Sequence, residues 1–110
     1  MDYRVVITPP AKHQLEMYIA YTVNQLKNKQ AARAIRDDAR DTKKELAKSA
    51  GALSLCTDEI LARNGYHRIF FRKHDFFMVY RIDGNFAIVD AMYHELQDYE
   101  STFAQTLHLE

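Results

Sequence analysis

The stretch from Gly65 to Asp83 constrains the fold more than any other part of the chain. It contains four of the six phenylalanines and is interrupted by a polar run at residues 72–75. Aromatic and β-branched residues on both sides of a short polar run predict a strand, a turn and a second strand. A second turn follows at residues 83–85, Asp-Gly-Asn, and Phe86 to Met92 is a third apolar run. The C-terminal half is therefore predicted to be a three-stranded antiparallel meander.

The N-terminal half is predicted to hold one strand and two amphipathic helices. Residues 3–8 are rich in β-branched and aromatic residues and stop at two prolines, which indicates a short first strand. Thr8 is the predicted N-cap of a first helix that ends near Asn28. The second helix is predicted from Gln30 to Ala50, and Gly51 is predicted to end it as the C′ residue.

A helical hairpin with one apolar face on each helix needs a sheet to cover, and the meander provides one. Residues 52–64 are predicted to connect the two halves with about one helical turn. The expected fold is α+β in the order β-α-α-β-β-β, with the N-terminal strand and the helical hairpin packed on a mostly antiparallel twisted sheet. The predicted core has a helix side and a sheet side, namely Leu15, Ile19, Leu26, Ile35 and Leu46 against Val5, Ile7, Val79, Ile88 and Val89.

Composition limits the class of protein. The chain has 110 residues, of which 47% are hydrophobic, so we expect one domain spanning residues 1–110 with a modest core. Fifteen basic and fifteen acidic residues give a formal net charge of zero, so any nucleic-acid site must be a local patch. The single cysteine, Cys56, excludes an internal disulfide. Without a leader or a long apolar run, we expect a soluble cytoplasmic protein that binds no membrane.

Three short motifs in a fixed order carry a family resemblance. They are L-x-x-x-G-Y-x-R-I from Leu61, V-Y-R-I-D from Val79, and H-x-x-x-D-Y from His94 to Tyr99. Together with the element order, they make the chain resemble the RelE/ParE superfamily of toxins from bacterial type II toxin–antitoxin modules. The resemblance implies a cognate antitoxin as partner. It also implies one of two activities, because RelE-type toxins cut messenger RNA on the ribosome without a metal and ParE-type toxins inhibit DNA gyrase.

Metal-free RNA cleavage requires a base, an acid and a cation that offsets the phosphate charge. The resemblance matches His94, in the pair Tyr93-His94, to the proposed general acid of YoeB-like toxins, and Glu59 to a carboxylate base. Arg68, Arg72 and Arg81 supply positive charge. The predicted catalytic residues are thus His94, Glu59, Arg81 and Arg68, and the predicted substrate contacts are Arg72, Tyr93, Tyr99 and Phe77, with no cofactor and no metal.

One position departs from the RNA-cleaving pattern. Those toxins usually carry an arginine two residues before the Val-Tyr pair, where this chain has Phe77. Arg81 lies on the same strand face as Phe77, because alternate residues of a strand share a face, and so is a candidate replacement. We favour ribosome-dependent mRNA cleavage at this stage because the Tyr-His pair matches. The alternatives are a gyrase inhibitor without catalysis and a degenerate toxin that only binds its antitoxin.

Each candidate residue also has a simpler explanation. His94 is compatible with a surface position, and Glu59 with a solvated connection. Arg68 and Arg81 are compatible with cross-strand pairing to Asp83 or Asp90. Acidic and basic residues alternate on the second helix, where Asp37, Asp38 and Asp41 are expected to be part of a solvated face. The strands carry more aromatic side chains than the core of a sheet covered on one face needs, namely Phe70, Phe76, Phe77 and Tyr93. Some of them are expected in the core, and others are expected to contact a base or an antitoxin.

Overall fold

The computed structural model describes residues 2–95 and Phe103 of the chain. The predicted element order is confirmed, including a short helix within the predicted connection. Across this described part, no helix combines the length and apolar character that a membrane crossing requires. The elements are β1 Arg4–Ile7, α1 Pro9–Asn24, α2 Lys29–Ser49, a 3₁₀ turn Ala50–Ala52, α3 Glu59–Arg63, β2 His67–Phe70, β3 Phe76–Asp83 and β4 Phe86–His94.

The strands form one four-stranded sheet in the order β1-β4-β3-β2. The β2–β3 and β3–β4 pairs are antiparallel, as the meander prediction requires. The first strand joins the sheet beside β4 and runs parallel to it, with Arg4 opposite Phe86. A parallel partner needs a long crossover, and the helical hairpin is part of it. The prediction of a mostly antiparallel sheet is confirmed.

The sheet buries apolar side chains on both faces. On the first, which we call the helix face, Met78 and Tyr80 pack in the same cluster as Ile19 of α1 and Ile35 and Leu46 of α2. The opposite side, called the second face, holds a separate cluster that includes Leu61 of α3 and Phe103. Its strand members are alternate residues, as a pleated strand requires, namely Phe77, Val79, Ala91 and Tyr93.

A β-bulge interrupts the alternation in β4. Val79 lies opposite Ala91 whereas Tyr80 lies opposite Val89, so Asp90 is the extra residue. At a bulge two neighbouring residues oppose one partner, and the strand is locally bent. The Asp90 side chain therefore joins Ala91 on the second face.

Three members of the predicted core are placed wrongly by the sequence pattern. Leu26 is 58% exposed, because α1 ends at Asn24 and Leu26 lies past the helix. Val79 is fully buried, but in the cluster of the second face. Ile88 is half-buried, and it lies opposite Arg81 on the second face. The other predicted pairs across the helix face are confirmed, since Leu15, Ile19, Ile35 and Leu46 lie in one cluster with Val5, Ile7 and Val89.

Gly51 does not end α2 in the predicted way. The positive-φ glycines of the described residues are Gly65 and Gly84, and α2 continues into the 3₁₀ turn. The need for glycine at position 51 comes from packing instead. A Cβ atom there would lie 2.5 Å from the hydroxyl oxygen of Tyr3, a distance that real Cβ contacts do not reach.

Candidate functional site

A carboxylate on the second face organises the charged groups around it. The Nε–H of Arg81 donates to Oδ2 of Asp90 at 2.9 Å, which is one of the cross-strand pairings offered as the simpler explanation of Arg81. The Tyr66 hydroxyl donates to the same oxygen, also at 2.9 Å. Burial, followed by this hydrogen bond to Asp90, raises the pKa of Tyr66 to about 12. The bulge makes the arrangement possible, because it turns Asp90 toward the second face.

Arg68 lies over two phenylalanine rings on the same face. Its guanidinium carbon is 5.2 Å from the ring centroid of Phe70 and 5.3 Å from that of Phe77. Both distances fall within the range of a cation–π interaction. Phe77 is 1% exposed whereas Phe70 is 46% exposed. Direct substrate contact by Phe77, expected from the sequence, therefore does not fit its burial, and Phe70 is the aromatic side chain that solvent reaches.

His94 lies on the helix face, at the end of β4. Its ring meets the ring of Phe76 edge to face, with the centroids 5.1 Å apart. Its backbone N–H donates to the Tyr18 hydroxyl at 3.3 Å. A cavity of 670 Å³ opens at this end of the sheet, and His94 lines it together with Lys73 and His74 of the β2–β3 turn. The rest of this sheet-end cavity is mostly apolar and aromatic, including Met17, Tyr18, Tyr21, Leu26 and Phe76.

The remaining predicted site residues are scattered. The Glu59 side chain is 91% exposed in the first turn of α3, 3.8 Å from Arg63. Arg72 is exposed and lies 3.3 Å from a carboxylate oxygen of Glu45 on α2. Tyr93 is 4% exposed, with its ring centroid 6.3 Å from that of Phe103. Tyr99 lies outside the described residues.

The geometry separates the predicted acid, His94, from Arg68 and Arg81. His94 is opposite Phe76 on β3, and Arg81 is five residues farther along that strand. At about 3.4 Å per residue, this spacing amounts to about 17 Å along the sheet. The two side chains also point to opposite faces. Arg68 and Arg81 share the second face, whereas Glu59 is an exposed residue in the first turn of α3.

Some of four aromatic residues were expected to contact a partner, and three of the four are buried, two on the second face and one on the helix face. Phe77 and Tyr93 belong to the second-face cluster, and Phe76 to the helix-face cluster. Only Phe70 of the four is exposed. Of the four, Phe70 is therefore the one that fits the expected partner contact, and the other three are core residues because both faces of the sheet are covered.

Sequence reasoning missed Asp38. We expected it on a solvated helix face, yet it is 3% exposed. Its carboxylate accepts hydrogen bonds from Lys73 and His74, two of the three residues of the β2–β3 turn that line the sheet-end cavity. The spacing of Asp38 did indicate burial. It lies three residues after Ile35 and four before Thr42, so the three residues share one side of the helix, and Ile35 and Thr42 are both buried.

The chain is similar to known toxin proteins. A family model described as ParE toxin of type II toxin-antitoxin system, parDE, matches residues 5–99. Among solved structures, a chromosomal ParDE TA system from P. aeruginosa has a TM-score of 0.69 and 17% identity, covering 84% of this chain and 95% of that one. The toxin-antitoxin complex RelBE2 from Mycobacterium tuberculosis has a TM-score of 0.56 and 16% identity, covering 86% and 99%. A comparison with curated proteins found no match. The predicted fold is confirmed.

Proposed function

The chain belongs to the ParE family of toxins from type II toxin–antitoxin systems, and from this premise we propose that it arrests bacterial growth by binding and inhibiting DNA gyrase without catalysis. This is the alternative that the sequence pattern left in second place. Both candidate targets of the superfamily, gyrase and the translating ribosome, are cytoplasmic. We therefore propose the cytoplasm as its location.

The separation of the charged side chains supports a binding mechanism. Metal-free RNA cleavage needs its acid, base and cations within hydrogen-bond reach of one phosphate. Here His94 is on the helix face, and Arg81 is on the second face about 17 Å along the sheet. Glu59 is solvated on α3. This arrangement argues against one catalytic centre built from those three residues.

We assign target contact to the exposed groups of the second face. Arg81 is 40% exposed and is held by Asp90, so its guanidinium is oriented before any partner arrives. Phe70 is 46% exposed beside Arg68. Arginine and aromatic side chains are the residue types that most often dominate binding energy at protein interfaces. Holding them in position on strands lowers the entropy lost on association.

A second candidate is ribosome-dependent cleavage of messenger RNA at the sheet-end cavity. One observation favours it, because His94 and Lys73 line the same open cavity of 670 Å³. An imidazolium can donate a proton to a leaving oxygen, and a lysine can offset phosphate charge. In this version Lys73, rather than Arg81, is the cation that acts with His94.

We also propose a cognate antitoxin as the partner that keeps the chain inactive. The two solved structures named above both come from toxin–antitoxin systems. Three apolar side chains on or just beyond α1 are more than half exposed, namely Met17, Tyr21 and Leu26. An antitoxin segment that orders on contact would cover apolar surface of this kind.

The decisive experiment compares the two targets in vitro. The purified full chain is added to a gyrase supercoiling reaction and, separately, to a translation reaction in which message integrity is followed by primer extension. We expect loss of supercoiling with intact message, and relief of inhibition by the protein encoded in the neighbouring open reading frame. Arg40→Ala is the matched control for the variant Arg81→Ala, since Arg40 is also a partly exposed arginine, on α2, and pairs with Asp37. Message cleavage with unaffected supercoiling would overturn the gyrase proposal in favour of the nuclease.

A further inference from the structure

The second face of the sheet is covered at one end and open at the other. The second-face cluster lies over the end of β3 and β4 that carries Phe77 and Tyr93. Among the described residues, this cluster contains no member of β1. Toward the β3–β4 turn, Val6 and Phe86 are each 40% exposed. This end of the second face therefore presents apolar side chains to solvent.

The register of the strands gathers these side chains into one patch, which we call the open patch. It consists of two rows of three residues, each row taken from β1, β4 and β3, namely Arg4, Phe86 and Asp83 in the first row and Val6, Ile88 and Arg81 in the second. Neighbouring strands are about 4.8 Å apart, and residues two apart on one strand are separated by about 7 Å. All six side chains are therefore neighbours on one face.

The open patch has the anatomy of a protein interface, which is an apolar centre inside a polar rim. Val6, Phe86 and Ile88 form the centre. Arg81 lies beside Ile88, and its hydrogen bond to Asp90 orients it. Aromatic and arginine side chains are the types that most often dominate binding energy, and here both kinds are fixed on paired strands. The patch therefore offers a small, preorganised contact surface.

We propose that the open patch is the part of the second face to which the target binds, and the identity of that target as gyrase rests on the proposed function. The bound surface of gyrase presents an apolar side chain to Val6 and Phe86 and a hydrogen-bond acceptor to Arg81. Continuity favours this occupant, because the second row joins the apolar centre to the arginine already assigned to target contact.

The antitoxin contacts a different side of the molecule in this proposal. The apolar residues assigned to it lie on or just beyond α1, and α1 packs on the helix face. Target and antitoxin thus use opposite sides of the sheet. A change in the open patch should consequently separate the two activities, with target binding lost and antitoxin binding kept.

The test replaces Val6 and Phe86 with threonine, singly and together. Threonine suits a strand, and both residues are partly exposed, so the fold should be retained. Each single variant should bind purified gyrase about fivefold or more weakly, and the double variant about tenfold or more weakly, in biolayer interferometry with the full chain. Binding to the protein of the neighbouring open reading frame should not change. Leu55→Thr is the matched control, since Leu55 is 48% exposed outside the patch and should leave gyrase binding unaltered.

The outcomes separate the patch from the identity of the target. Unchanged gyrase binding by the double variant would refute the open patch and leave the gyrase proposal standing. If the unaltered chain does not bind gyrase but arrests growth, and the double variant does not arrest growth, the gyrase proposal fails and the open patch is supported. An unaltered chain that neither binds gyrase nor arrests growth overturns both.

Other occupants of the open patch would also be revealed. Loss of antitoxin binding in the double variant would assign the patch to the antitoxin, and a dimer of the unaltered chain that the double variant abolishes would assign it to a second copy. Either result overturns the proposal. If the double variant unfolds, hydrogen exchange of the unaltered chain decides, because gyrase should protect the amides of residues 4–7 and 81–88. Absence of protection there would refute the patch.

Discussion

Asp38 of α2 and His74 of the β2–β3 turn make a buried contact, with Oδ2 of Asp38 2.7 Å from Nδ1 of His74. The Asp38 side chain is only 1% exposed. The backbone N–H groups of Arg72 and Lys73 donate to the same carboxylate at 3.2 and 2.9 Å. One helical side chain therefore satisfies three donors of a turn that forms part of the sheet-end cavity. A buried carboxylate is tolerated in proteins when it is paired and hydrogen-bonded in this way.

Asp38→Ala should destabilise the fold by about 2–3 kcal/mol, because two backbone donors and one imidazole lose a charged acceptor in a place that water barely reaches. Asp37→Ala is the control. Asp37 is exposed and pairs with Arg40, so its removal should cost less than about 1 kcal/mol. Urea unfolding of both variants measures the difference. Equal, small effects would show that the turn does not depend on Asp38.

The pH dependence of stability should report the same carboxylate. Burial alone would raise the pKa of Asp38, but hydrogen bonds from His74, Lys73 and Arg72 and the charge of His74 outweigh it, so the pKa lies below its ordinary value. A lowered folded-state pKa stabilises the protein above the unfolded-state pKa of about 3.9, and the contribution is lost as pH falls through the folded-state pKa. The stability gap between the unaltered chain and Asp38→Asn should therefore narrow as the pH falls below about 4. A gap that widens in acid would contradict this sign.

The sequence predicts those parts of the fold that depend on local patterns. The Asp-Gly-Asn turn and the phenylalanine runs predict the meander, because turn type and alternation are local properties. The bulge at Asp90 carries no such signal, and strict alternation would have turned this carboxylate away from Arg81. Asp38 was misjudged because its charged neighbours suggested a solvated face, although its spacing from Ile35 matched the buried stripe. Leu26 was misjudged because helix ends are the least certain feature of a periodic pattern.

Gly51→Ala should destabilise the chain by about 1–2 kcal/mol, because its Cβ would lie 2.5 Å from the Tyr3 hydroxyl. The cause can be isolated with Tyr3→Phe, which removes the clashing oxygen and leaves the ring carbon at 3.3 Å. The alanine should then cost clearly less in the Tyr3→Phe background than in the unaltered chain. A double-mutant cycle by chemical denaturation gives the coupling. Strict additivity would mean that the close approach is not what requires glycine.

Truncation of Ile19 or Leu46, which both pack on the helix face, should lower the free energy of unfolding by a large amount. Ile19 is 6% exposed and Leu46 is fully buried. Replacing either with alanine should cost about 2–5 kcal/mol, through lost apolar transfer and the cavity left behind. Leu26→Ala is the matched control, because Leu26 is 58% exposed and its truncation should change stability by less than about 0.5 kcal/mol. Denaturation midpoints of the three variants test whether the helical hairpin covers the sheet as described.

His94→Gln and Arg81→Ala separate the two mechanisms, because they alter opposite faces of the sheet. If target contact is made by the second face, Arg81→Ala should weaken target binding by about fivefold or more and so relieve growth arrest, since arginines that dominate an interface cost more than about 1 kcal/mol when truncated. His94→Gln should then arrest growth as the unaltered chain does, with messages intact. Each variant must first show the same thermal unfolding and antitoxin binding as the unaltered chain, because Arg81→Ala leaves Asp90, among the described residues, with only the hydrogen bond from the Tyr66 hydroxyl. The reverse outcome is equally specific: loss of arrest in His94→Gln, together with loss of ribosome-dependent message cleavage, assigns His94 as the general acid of a nuclease. In that case Lys73→Gln, on the same cavity, should reproduce the loss, and Arg81→Ala should not.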